Sequence, residues 1–86
     1  MKLFLIIMVW GQVGISIGPM PDSMPDCLTA ASERVVALDK SFSERSVYPQ
    51  NGRLVWRSDV SVACGYFADR PTGGSTPDTA TLEVPK

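Results

Sequence analysis

From Met24 to Phe42 apolar residues recur at spacings of three and four: Met24, Cys27, Leu28, Ala31, Val35, Leu38 and Phe42. Asp26, Thr29, Ser32, Glu33, Asp39 and Lys40 fall mostly on the other side, so the stretch predicts an amphipathic helix. With Ser23 as N-cap, Asp26 at the third helical position gives a Ser-x-x-Asp capping pattern, and Pro25 fits the first turn. A single striped helix cannot bury its own face. The rest of the chain must supply a surface for it, and a small sheet is the expected one.

Two readings compete for the opening run Leu3–Trp10. One is a secretory signal: a single positive charge at Lys2, an apolar core, then small residues at Gly14 and Ser16 as a cleavage pattern. The other is a buried β-strand, for which Leu, Phe, Ile, Val and Trp are suited. A membrane-spanning helix is the weakest option, because even extended through Gly18 the run is shorter than the roughly 20 residues required. The residues after the run favour the strand. Trp10-Gly11-Gln12-Val13 places Gly at the first central position of a type II′ turn, and Val13, Ile15 and Ile17 alternate with Gly14, Ser16 and Gly18. A hairpin of Leu3–Trp10 with Val13–Ile17 uses all of these residues.

Gly18-Pro19-Met20-Pro21-Asp22 is a stiff connection to the helix cap. Ser43–Arg53 reads as a polar loop that ends in a tight reversal at Asn51-Gly52. Leu54–Phe67 reads as one strand bent near Ser58-Asp59, or as two short ones; Val60, Val62, Cys64 and Tyr66 share a face. Residues 1–67 are thus expected to form one small α+β domain of ββαβ(β) order. Its helix would pack across a three- or four-stranded antiparallel sheet. Residues 68–86 differ in character: three prolines, four threonines, Thr-Gly-Gly-Ser and no aromatic residue describe an extended tail unable to build a core of its own. Leu82 and Val84 are its only sizeable apolar residues. Order in such a tail implies something outside the domain to hold it.

Composition narrows the chemistry. At 86 residues the core is near the lower limit for unaided stability. Eight basic against nine acidic side chains give no general drive toward nucleic acid or anionic membrane. The chain has no histidine, the commonest general base and metal ligand, and its two cysteines cannot make a zinc site alone. Neither a cofactor nor a catalytic residue is expected.

Cys27 lies on the helical stripe and Cys64 on the apolar face of the last strand. Both point to one helix–sheet interface, which makes a disulfide geometrically sensible. Closing a loop of about 38 residues contributes roughly 3–4 kcal/mol in the chain-entropy model. The alternative is a pair of buried, reduced cysteines acting as small apolar residues. Arg45, Arg53 and Arg57, interleaved with Tyr48 and Trp56, form at best a small nucleic-acid patch. A solvated loop with Trp56 in the core explains the same residues.

A short apolar start, Ile17-Gly18-Pro19, Cys27 opening a helix and a Val-rich strand closing on Cys64 resemble a scattered group of small bacteriophage-encoded proteins. The resemblance covers residues 3–67 and implies an accessory protein of the virion or of the infected cell's envelope, with no catalytic residues to transfer.

The leading expectation is a non-enzymatic structural or interaction protein, a small subunit decorating or cementing a phage particle and located in the virion. It would engage protein partners such as a capsid subunit, or further copies of itself, through a sheet edge near Leu3 or Leu54. Its tail would engage a partner at Thr72, Pro77, Leu82 and Val84. One alternative is a small exported protein, periplasmic or secreted, cleaved after about Ser16 and stabilised by Cys27–Cys64. Another is an intracellular regulator that binds a host protein or nucleic acid.

Overall fold

The computed structural model describes residues 1–21, 23–42, 47–50 and 53–85. The chain runs β1 (Lys2–Val9), β2 (Gln12–Ile17), α1 (Met24–Ser41), β3 (Val47–Gln50) and β4 (Arg53–Trp56). A 3-10 turn (Arg57–Asp59), β5 (Val60–Phe67), a second 3-10 turn (Thr79–Thr81) and β6 (Leu82–Glu83) complete it. The main sheet is antiparallel with strand order β2-β1-β5-β6, while β3 and β4 pair in a sheet of their own. One helix on an antiparallel sheet is the small α+β domain that the sequence pattern predicts.

β1 is the middle of this arrangement. Its continuous apolar run faces two layers at once, as a strand buried on both sides must. Leu3 and Leu5 point to the helix side and join Cys27, Ala31, Val62 and Cys64 in one core. Phe4, Ile6 and Met8 point the other way and join Val13 and Ala63 in a second core. β1 pairs with β5 along its whole length but with β2 only from Leu5 to Val9, so Leu3 lies beyond the β2 ladder, where its carbonyl accepts from Met20 N–H at 2.7 Å.

The hairpin forms with two departures from the sequence pattern. Val9 pairs with Gln12, so Trp10 and Gly11 are the central residues, at φ 56° and 76°. Two positive φ values make this a type I′ reversal rather than the expected type II′, and its twist suits the flanking strands. The register then slips between Ile7 and Met8, leaving Gly14 as a bulge: Ile7 pairs with Ile15 but Met8 with Val13. Val13 consequently packs in the second core, whereas Ile17 packs on the helix side.

Helix α1 begins after Ser23, whose carbonyl accepts from Cys27 N–H at 2.9 Å. The Ser23 hydroxyl does not cap; it donates to the Asp26 carboxylate at 3.2 Å. The whole predicted stripe packs inward: Met24, Cys27, Leu28, Ala31, Val35 and Leu38 on the helix-side core, and Phe42 in a third cluster with Val55 and Val60. Cys27 and Cys64 are joined by a disulfide with Cα atoms 6.3 Å apart, and both residues are fully buried.

Residues 47–50, expected as loop, form β3. The Asn51-Gly52 reversal lies outside the described residues, but the strands flanking it pair with Gln50 opposite Arg53. Leu54–Phe67 divides at the Arg57–Asp59 turn into two strands that belong to different sheets. Trp56 is 51% exposed rather than in the core.

The C-terminal segment is held by the domain itself. Val13 N–H donates to Ser75 O at 2.9 Å, and Gly74 N–H to Val13 O at 2.7 Å. Arg70 donates to the carbonyls of Ser16 and Gly18, with its guanidinium 5.5 Å from the centre of the Phe4 ring. Leu82 packs against the second core and pairs with Gly65. A polar strap thus covers an apolar face chiefly with main chain, one arginine and one leucine.

Gly65 is the closest point of that crossing. A Cβ there would lie 2.9 Å from Leu82 Cδ2, 3.1 Å from Phe67 Cε2 and 3.1 Å from Thr81 O. Gly65→Ala is expected to destabilise the chain by about 1–3 kcal/mol in urea unfolding, because a backbone atom cannot yield as a side-chain tip does. Unchanged stability would mean that the strap does not sit so closely on β5.

Candidate interaction surface

The helix lies chiefly over β5 rather than over the whole sheet. The helix-side residues of β1 and β2 near the hairpin are therefore only partly roofed. A groove of about 340 Å³ opens there, floored by Ile7 and Val9 of β1 and Ile15 of β2. Leu38 and Ser41 of α1, with Phe42, form one wall, and Val55 and Val60 close the end. Among the described residues Ser41 is the only polar one in this lining. Ile15 stands 58% exposed at the lip.

The end of the groove is braced from outside. Arg57 Nε donates to Asp39 Oδ1 at 2.7 Å, and Arg57 Nη1 donates to Val60 O at 2.7 Å. These bonds tie the last turns of α1 to the start of β5. The ion pair is largely solvent-exposed, so its worth is positional more than energetic. Asp59 adds a second brace: its carbonyl accepts from Trp10 N–H at 3.0 Å and its carboxylate from Trp56 N–H at 3.1 Å. Arg57 is thus engaged in structure, not offered to phosphate. Arg45 and the side chains of Tyr48 and Arg53 lie outside the described residues.

The four expected tail positions do not converge. Thr72 is exposed, and its carbonyl accepts from Ser75 N–H and Oγ–H in a turn. Pro77 is half-buried and shares with Thr72, Tyr66 and Pro71 a shallow depression of about 330 Å³. Leu82 faces inward to the second core. Val84 is 62% exposed and faces a different depression, beside Leu28 and Ser32 of the helix. The sequence reading missed the groove because it placed Val13, Ile15 and Ile17 on one buried face; the Gly14 bulge separates them.

No family model, curated protein or solved structure matches the chain. The likeness to small phage proteins therefore stays a resemblance of sequence pattern. Among the described residues no cluster of three His, Cys, Asp or Glu side chains is placed to hold a metal ion. No described helix is long and apolar enough to cross a membrane. What the groove offers a ligand is apolar contact.

Proposed function

We propose that the chain is a non-enzymatic interaction subunit of a larger assembly, and that it receives apolar side chains of a neighbouring protein in the groove between α1 and the β1–β2 hairpin. The observation that carries this reading is the lining itself: among the described residues, seven apolar ones and one serine, open to solvent, with Ile15 exposed at the lip. An open apolar concavity is a place where a neighbour's apolar side chains can lose contact with water. The groove is the contact site proposed here, beside the sheet edge near Leu3. The virion setting rests on the sequence resemblance alone.

Ile15→Asp tests the reading. Its side chain is already mostly in water, so the variant should unfold within about 0.5 kcal/mol of the parent. Co-purification with the native assembly should be lost. Retention of the variant in the assembly at parental levels would sink the groove as a contact site.

The Cys27–Cys64 bridge also favours maturation in an oxidising compartment, as the exported alternative requires. That alternative further needs residues 1–16 to be removed, and β1 is the strand most deeply built into the sheet.

A further inference from the structure

We propose that residues 70–85 form an exchangeable strap, and that the second face of the sheet in one copy takes the strap of a second copy of this chain. The proposal rests on the interaction-subunit reading and names a partner for it.

The covered face and its cover are unequally dependent on each other. Phe4, Ile6, Met8, Val13 and Ala63 are all buried, and left bare they would make a contiguous apolar patch. The strap has no buried residue: from 68 to 85 only Pro71, Ser75, Pro77, Leu82 and Pro85 are even half-buried. Its attachments are three and spaced apart. Arg70 and the Pro71 carbonyl, which accepts from the Ser16 hydroxyl at 3.3 Å, hold the end of β2, Gly74 and Ser75 bond the main chain of Val13, and Leu82–Glu83 pair with Cys64–Gly65. A segment held this way opens locally at a lower free energy than the whole domain unfolds.

Opening leaves the other half of the molecule intact. The disulfide ends at Cys64, ahead of the strap, and no strap residue contributes to the helix-side core. The stapled helix and three-stranded sheet therefore persist with the second face bare, and every other copy of the chain carries a segment that fits that face. Ala68 and Asp69 are exposed, lie outside any helix or strand, and link Phe67 to the first anchor at Arg70. They serve as the hinge. In an exchanged pair every strap contact re-forms on the neighbouring copy and only the hinge differs, which makes exchange a low-cost route to a dimer.

Two experiments on the purified chain test this. In the first, the full-length protein is concentrated to the millimolar range below its melting temperature, mixing isotopically light and heavy copies. A dimer that contains mixed pairs and dissociates slowly on dilution is expected, and Leu82→Asp should abolish it. A chain that stays monomeric overturns the proposal, as does a dimer indifferent to Leu82→Asp. In the second, Ala68 and Asp69 are deleted, which shortens the reach of the strap by about 7 Å. The shortened chain should run at double the monomer mass in light scattering, with the amides of Val13 and Gly74 as protected from hydrogen exchange as in the parent. A folded, monomeric shortened chain overturns the proposal; should this variant not fold, the full-length experiment decides alone. Failure here is distinct from failure of the groove, since Ile15→Asp leaves the strap untouched and a strictly monomeric chain can still enter its assembly.

Discussion

A chain beginning at Ile17 is expected not to fold. Six of the fourteen buried apolar residues identified among the described positions precede that point: Leu3, Phe4, Leu5, Ile6, Met8 and Val13. Without β1 the strand β5 loses its long partner and keeps only the two-residue pairing with β6. The second core is reduced to Ala63. Burying each large aliphatic or aromatic side chain contributes about 1.5–3 kcal/mol, so the loss is comparable with the roughly 5–15 kcal/mol that stabilises an ordinary domain. Residues 17–86, expressed with the disulfide formed, should give a collapsed amide spectrum and no cooperative melt. A cooperative melt would mean that the first sixteen residues are dispensable, and would restore the cleaved-leader reading. The intact mass of the native protein offers an independent check, since a folded subunit of the kind proposed must retain β1.

The second large effect concerns the staple. Replacing Cys27 and Cys64 together by alanine opens a loop whose ends are 37 residues apart in sequence. The chain-entropy model puts the loss at roughly 3–4 kcal/mol, and the two sulfurs also leave a small void in the helix-side core. For a domain of this size each kcal/mol lowers the midpoint by about 4–8 °C, so a fall of roughly 12–30 °C is expected in thermal unfolding. A fall of only a few degrees would mean that the helix is held by its apolar stripe without need of the bridge.

Much of this architecture was legible because it rests on local periodicity. The stripe from Met24 to Phe42 could only be a helix with one buried face, and the positions of Cys27 and Cys64 on facing surfaces foretold their bond. Register was harder to read. Gly11 was visible as a turn residue, but whether it comes first or second depends on where Val9 finds its partner, and Trp10 accepts a positive φ that sequence pattern disfavours. The bulge at Gly14 undid the period-two reading of β2, since one extra residue moves its neighbours along the strand to the other face. The groove depends on that displacement and on how far the helix leans toward β5, neither of which is encoded in spacing. The strap escaped for a different reason. Composition measures whether a segment can build a core, whereas here the apolar half of that core lies on β1, some sixty residues earlier, and the segment supplies mainly backbone. The unbroken apolar run of Leu3–Met8 held the missing signal, because a strand apolar on both faces needs two covering layers and the helix supplies one.

The place of β1 in the sheet also has a consequence for synthesis. Of the strands in this sheet, the one made before the others has neighbours on both sides: β2 comes at once, but Cys64, the partner of Leu5, is made about sixty residues later. A hairpin closes in about 1–10 μs, whereas sixty residues take about 3–12 s to translate at ordinary rates. For that interval the nascent chain carries Leu3–Met8 with one edge and both faces bare. Such a segment has the apolar character of an export leader's core. The likeness of Leu3–Met8 to a leader is therefore physical as well as textual: it comes from making the central strand long before its partner β5, and it lasts until β5 arrives.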